Sequence, residues 1–464
     1  MAAVSSQASI SPASSSVRPA RCLLVSANRM ASPYPVYPIG IAYIMGALQR
    51  HGHRVDHVDI LASGGYQVLE ERLRQNIYDL VGVSIRNIDN VDSTAPQELL
   101  ADIAEAVRRI RTHSQAPLVL GGPGFSIMPE RLLDHLGADY GIVGEGEEAL
   151  PQLLNRLMAG ECPERKILSR SLTGFPDCSP LYSPEVTPYY IGRGGMLNVQ
   201  TKRGCRHGCS YCSYPSIEGR TMRYRDPATI VREIEELRAE FGARYIFFTD
   251  GVFNDPDDRY LEIAEELVRA GNKVPWCAFF RPQHLSREAL RLLKRSGMAG
   301  MELGTDSTSD ETLAALHKGF TFAEVIAVNE SIVAEEIPCA HFVMFGGPGE
   351  TAETVEKGLK NLEQLNRTVV FVYLGIRILP GTRLYERALL EQVITAETDL
   401  IRPVFYYSPL VDRELVDSRL RLAFHGRQDR LFPVTEREHL IPVLHRRGYD
   451  GPLWNLLINT SSPQ

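Results

Sequence analysis

From Arg21 onward, short apolar runs alternate with longer amphipathic stretches rich in Glu, Arg and Leu. Such spacing leaves few folds open. Each connection is long enough for a crossover helix and too long for a hairpin, so the strands pair in parallel with helices on their faces. The alternation occurs twice. In the first series, residues 22–26, 55–60, 80–85, 117–120 and 140–143 read as strands, with helices over 39–51 and 130–136. In the second, strands are expected at 197–201, 245–249, 276–280, 300–303, 341–345 and 369–379. The fold class is α/β: a doubly wound, Rossmann-like domain followed by a partial (β/α)6 barrel. Both architectures bind ligands beyond the carboxyl ends of their strands.

The 464 residues divide accordingly into a disordered tail (1–20), the first α/β domain (21–160), a linker rich in Pro and Gly (161–195), the barrel (196–390) and a mostly helical, substrate-side region (391–464). In that last region Phe405, Tyr406, Tyr407, Phe424 and Trp454 read as core aromatics. A net charge of −7 provides no broad basic surface and excludes nucleic acid as an expected partner. Eight cysteines, three of them in one loop, form no disulfide framework, so a reducing, cytoplasmic compartment is expected. No apolar run reaches the length of a membrane span.

The three clustered cysteines lie in Lys202-Arg203-Gly204-Cys205-Arg206-His207-Gly208-Cys209-Ser210-Tyr211-Cys212. A C-x3-C-x2-C loop presents three thiolates, which suit three corners of a [4Fe–4S] cube and leave the fourth iron without a protein ligand. A zinc knuckle normally takes four ligands in paired C-x2-C units, and His207 sits too close in the loop to supply the fourth. Cys277 and Cys339, in apolar strands, read as inert core. The first strand is not followed by G-x-G-x-x-G, so a dinucleotide is not expected in the first domain.

A C-x3-C-x2-C loop after the first barrel strand resembles the radical S-adenosylmethionine (SAM) enzymes. Phe248-Thr249-Asp250-Gly251-Val252-Phe253-Asn254 is similar to their second-strand segment. Glu302-Leu303-Gly304-Thr305-Asp306-Ser307, Met344-Phe345-Gly346-Gly347-Pro348-Gly349-Glu350 and Leu379-Pro380-Gly381-Thr382 resemble the later strand ends of the branch that carries a cobalamin-binding domain. The first domain resembles that branch's cobalamin domain at Pro38-Ile39-Gly40-Ile41-Ala42-Tyr43, Gly121-Gly122-Pro123-Gly124 and Gly144-Glu145-Gly146-Glu147.

The resemblance implies that Cys205, Cys209 and Cys212 ligate the cluster and that SAM chelates its open iron. Reductive cleavage of SAM then releases a 5′-deoxyadenosyl radical. Tyr211 would flank the adenine, with apolar contact from Leu379. Asp250, Asp306 and Ser307 would contact the cofactor, Arg281 its carboxylate, and Gly346 and Gly347 would admit it close to the backbone. Bland rivals exist: Asp306 as a helix cap, Arg281 in an ion pair. Ser84, Arg86, Asn87, Gly121, Gly122 and Gly124 are the candidate cobalamin contacts, with Arg86 alternatively paired to Asp89 or Asp92 on the surface. The stretch Ser26–Ala31 lacks the histidine that replaces the nucleotide base in other cobalamin proteins, so no histidine is expected below the corrin. The implied activity is C-methylation of a small-molecule substrate, with an electron from a flavodoxin- or ferredoxin-type reductant. The same architecture also suits cyclisation or rearrangement, 3-amino-3-carboxypropyl transfer to a heteroatom such as arsenic, or a non-enzymatic cofactor sensor or carrier.

Overall fold

The computed structural model describes residues 18–164, 166–170, 173–176 and 178–458. Residues 1–17 of the expected tail lie outside the described residues, whereas Ala20 is already fully buried. Strands β1 (Arg21–Ser26), β2 (Arg54–Asp59), β3 (Leu80–Ser84), β4 (Leu118–Gly121), β5 (Tyr140–Gly144) and β6 (Ile167–Arg170) form one parallel sheet in the order β2-β1-β3-β4-β5-β6. Chain order reverses between β1 and β3, which opens a crevice beyond their carboxyl ends. Strand β1 is apolar on both faces because helices cover both: Cys22, Leu23, Leu24 and Val25 are each at most 2% exposed.

Strand β6 falls inside the stretch read as a linker, and the helix Thr187–Ile191 lies there too. Four residues flanked by Pro and Gly carry too little periodicity to read as a strand. Only pairing with β5 reveals it.

The second unit contributes β7 (Met196–Val199), the short hairpin β8 (Lys202–Arg203) and β9 (Arg223–Tyr224), then β10 (Tyr245–Phe248), β11 (Trp276–Phe280), β12 (Met298–Asp306), β13 (Cys339–Phe345) and β14 (Val369–Leu374). A two-stranded ribbon, β15 (Ile376–Arg377) with β16 (Phe405–Tyr406), follows, and β17 (Arg430–Leu431) comes last. Among the described residues the main sheet has seven parallel strands, in the order β17-β14-β13-β12-β11-β10-β7. The seventh strand comes from the region expected to be mostly helical, where the longest helix is Arg413–Phe424. Two-residue strands leave no sequence pattern.

Alternation sorts the barrel residues into two layers. Ile246, Phe248, Trp276, Ala278, Phe280, Met301 and Leu303 pack outward against helices. Phe247, Cys277, Phe279, Glu302, Phe342 and Phe371 occupy the opposite face and turn into the lumen. The C-terminal segment closes the amino end of that lumen. A side chain at Gly300 would meet the Trp454 ring at 2.9 Å, and Trp454 Nε1 donates to Glu302 Oε1 at 2.9 Å. Among the described residues no helix is long and apolar enough to cross a membrane.

A buried charge cluster joins the two units. Arg203 pairs with Glu145 at 2.9 Å and with Glu147 at 2.7 Å, and Arg223 reaches Glu145 at 2.6 Å. Burial opposes the charge on Arg203, but the Glu147 and Glu145 carboxylates outweigh it and raise its pKa. Arg377 of β15 pairs with Asp89 beyond β3 at 2.7 Å, and the Tyr190 hydroxyl donates to Asp59 at 2.9 Å. Replacing Glu145 with Ala removes the buried carboxylate that both guanidinium groups share. The expected loss is about 3–5 kcal/mol of stability in chemical denaturation of the purified protein, and a loss below about 1 kcal/mol would show that the cluster does not hold the units together.

Candidate functional site

The carboxyl ends of the two sheets face each other across a cavity of about 660 Å³. From the first unit it is lined by Ser84, Arg86, Asn87, Gly121, Gly122 and Gly124, all expected from sequence. From the second it receives Gln200, Tyr214, Thr249, Phe279 and Leu379. Gly122, at φ +94°, lets the turn after β4 press on β3: a side chain there would meet the Ile85 carbonyl oxygen at 2.7 Å. None of the lining residues is a histidine.

Arg86 donates to Asn87 Oδ1 at 2.9 Å and to the Val36 carbonyl at 3.3 Å, and burial lowers its pKa. The alternative surface pair does not form, because Asp89 is held by Arg377 and Asp92 accepts from Thr94. A guanidinium facing a cavity beyond a switch point, with no histidine nearby, fits a corrin whose lower face takes no imidazole.

The hairpin β8–β9 encloses the cysteine loop. Gly204, at φ +87°, is required there, since a side chain would meet the Thr221 carbonyl at 2.1 Å. Backbone bonds then fix the loop: Cys205 N–H to Gly219 O (3.1 Å), Ser210 N–H to Leu316 O (2.9 Å) and Leu384 N–H to Ser210 O (2.8 Å). Burial pushes the Cys212 thiol up to about 12, and the neighbouring Cys209 and Cys205 push it further in the same direction. The three sulfurs therefore sense one another. Arg281 Nη1 lies 3.6 Å from Cys209 Sγ, and the Lys318 ammonium favours the Cys212 thiolate. Among the described residues no three His, Cys, Asp or Glu side chains converge on a single metal ion. A four-iron cube spaces its thiolates more widely than one tetrahedral ion does. Three mutually repelling sulfurs flanked by cations fit the cube.

Other expected contacts play different parts. Asp250 does not line the cavity; its Oδ1 accepts from the Thr201 and Lys202 amides at 2.7 and 3.3 Å, and its Oδ2 from the Thr201 hydroxyl. It fixes the chain that leads into the cysteine loop. Gly346 and Gly347 donate their amides to Glu350 Oε2, and burial pushes that carboxyl up to about 7. The close approaches these glycines allow are to the chain itself: Tyr407 at 3.3 Å and Thr312 at 3.0 Å from a built side chain.

Asp306 is not a helix cap; Ser309 caps the helix Asp310–Ala315. At φ +64° Asp306 turns back to the cysteine loop, where Oδ2 accepts from Lys318 Nζ at 2.5 Å and from the Tyr211 hydroxyl. Ser307 is buried and accepts the Ser309 amide at 3.2 Å. Arg281 has no carboxylate partner among the described residues. It donates to the Lys318 carbonyl and to Gln283 Oε1 at 3.1 Å, with Phe320 under its guanidinium at 5.1 Å. Sequence reasoning missed Tyr34 and Glu302. Tyr34 lies in the Pro- and Tyr-rich loop after β1 and reaches the barrel lumen, so its position past a strand end was the available signal.

Two family models match the chain in the same places: B12 binding domain over residues 26–154 and Radical SAM superfamily over residues 199–362. The tryptophan 2-C-methyltransferase of Streptomyces laurentii is 25% identical over 425 residues, covering 75% of this chain and 71% of the relative. The anaerobic magnesium-protoporphyrin IX monomethyl ester cyclase of Cereibacter sphaeroides is 26% identical over 352 residues, 69% of this chain and 55% of that one. In structure, the radical S-adenosylmethionine methyltransferase TsrM from Kitasatospora setae, solved with cobalamin and a [4Fe–4S] cluster, superimposes with a TM-score of 0.82 at 24% identity, over 95% of this chain and 97% of that chain. The switch-point sheet and the three-cysteine loop thus coincide with a B12-binding and a radical SAM family-model domain joined in one chain, the combination found in its methyltransferase relatives.

Proposed function

We propose that the chain is a cobalamin-dependent C-methyltransferase acting on a small molecule. One observation carries the reading: a single cavity is bounded by the switch-point ends of the first sheet and by the barrel strand ends beside the cysteine loop. Beside it Cys205, Cys209 and Cys212 would hold a [4Fe–4S] cluster, and within it Ser84, Arg86, Asn87 and the Gly121–Gly124 turn would hold cobalamin. When bound, these groups supply reductive cleavage of SAM and transfer of a methyl group. The chain's own residues position and neutralise. The Arg281 guanidinium offers its donors to a carboxylate beside the cluster. Asp306 Oδ1, which accepts no hydrogen bond among the described residues, is free for a ribose hydroxyl. The Asp306–Tyr211 bond holds the aromatic ring between the second and third cysteines against the fourth-strand end. Leu379 closes the apolar side. Arg86, which lines the cavity, would disfavour protonated groups beside a cobalamin held there. A flavodoxin- or ferredoxin-type donor in the cytoplasm supplies the electron.

Ring closure or 3-amino-3-carboxypropyl transfer would use the same cavity, and the nucleoside product tells them apart. Anaerobic protein produced with cobalamin is expected to carry stoichiometric cobalt and to move deuterium from methyl-labelled SAM into a carbon-bound methyl group. Formation of 5′-methylthioadenosine, or 5′-deoxyadenosine without any label transfer, would overturn methylation. Cys209→Ala is expected to bring iron to background and abolish SAM cleavage while leaving cobalt content unchanged, since the corrin contacts lie on the other unit; joint loss of both metals would contradict that division.

A further inference from the structure

The barrel lumen contains one acidic side chain whose surroundings no cofactor contact explains. Glu302 stands next to Phe279 in the parallel register of β11 and β12, on the face that turns inward. It is 3% exposed. Phenylalanine rings surround that face: Phe247 lies 5.2 Å from Phe279, Phe279 lies 6.1 Å from Phe342, and Phe342 stacks on Phe371 at 5.0 Å. Trp454 satisfies Oε1 from below. Oε2 accepts no hydrogen bond, and no Lys or Arg pairs with the carboxylate, among the described residues.

A buried carboxylate without a cation is unfavourable unless something arrives to pair with it. The other titratable groups near it are the hydroxyls of Tyr34, Tyr245 and Tyr373 and the thiol of Cys277, all kept neutral by burial. None supplies positive charge. Burial pushes the Glu302 carboxyl itself up to about 7.

The lumen also has room. Phe279 is 40% exposed although β11 is an interior strand of the sheet, and together with Phe247 and Thr249 it lines the large cavity. An exposed phenylalanine inside a barrel marks space that a ligand can fill. Arg281, beside Cys209, follows the end of β11 two residues beyond Phe279, about 7 Å higher. A molecule anchored at Glu302 therefore extends toward the cysteine loop.

We propose that this lumen is the substrate pocket and that Glu302 receives a protonated nitrogen of the substrate, an ammonium or amidinium group, inside the cage of Phe247, Phe279, Phe342 and Phe371. Aromatic faces attract cations, and the effect grows when water is excluded. The paired carboxylate restores charge balance. The substrate class is thus a flat or apolar molecule with one basic nitrogen, whose reacting carbon lies on the side toward the cluster. This rests on the methyltransferase reading for its orientation, but its binding test needs no SAM chemistry.

The test uses the anaerobically purified, cofactor-loaded protein with benzamidine as probe and benzamide as its neutral isostere, read by calorimetry and by quenching of tryptophan fluorescence. Benzamidine is expected to bind at least about tenfold more tightly than benzamide. Its affinity should rise between about pH 6 and pH 8, because the amidinium stays charged while Glu302 loses its proton through that range. Glu302→Gln, which keeps an acceptor for Trp454 Nε1, should abolish the preference. Equal binding of the two probes by the unmodified protein would overturn the proposal whatever the variant does, as would a preference that survives in a folded Glu302→Gln protein. If the probes behave as expected and no label moves from SAM, the pocket stands and the methyltransferase reading falls.

Discussion

Arg203, Arg223, Glu145 and Glu147 meet where no water screens them, and the spatial relation of the two sheets depends on that meeting. Charges of one sign come from the hairpin that opens the cysteine loop. Those of the other sign come from the turn after β5. Neither half can be buried alone without a large desolvation cost, so the two units are held in one arrangement. The cavity between the strand ends is a product of this arrangement and belongs to neither sheet alone.

The cysteine loop is held on the same principle of partners distant in sequence. Leu316 and Leu384, past the ends of β12 and β14, bond the backbone of Ser210 from two directions. Asp250 fixes the chain before the loop, and Asp306 fixes the ring of Tyr211 within it. Three sulfurs that repel one another are thus kept close by a frame built from three strand ends. A prearranged frame lowers the reorganisation needed when thiolates take up metal.

Much of this was legible in the chain. The strands near Cys22, Trp276 and His341 are strongly apolar and bounded by Gly or polar residues, so their existence and parallel pairing follow from pattern alone. The cysteine spacing named its own chemistry. What stayed hidden depends on register or on remote partners. Strand β17 is two residues long, and β6 sits among turn formers; neither has a period to detect. The role of Asp250 rests on amides 48 and 49 residues away. The amides of Gly346 and Gly347 turn toward Glu350, which a Gly-rich motif does not disclose. Glu302 lies in a motif noticed for its later residues, and only cross-strand pairing with Phe279 shows that it faces inward.

Trp454 forms the floor of a chamber whose walls come from strands laid down much earlier in the chain. Until the C-terminal segment docks, with Asp450 on Arg244 and the Gly451 amide on the Gly194 carbonyl, that chamber is a tube open at both ends. The order of synthesis therefore sets an order of enclosure. The first sheet and the three-cysteine loop are complete while the lower opening still admits solvent, and the lumen becomes a dead end only when the Trp454 turn is in place.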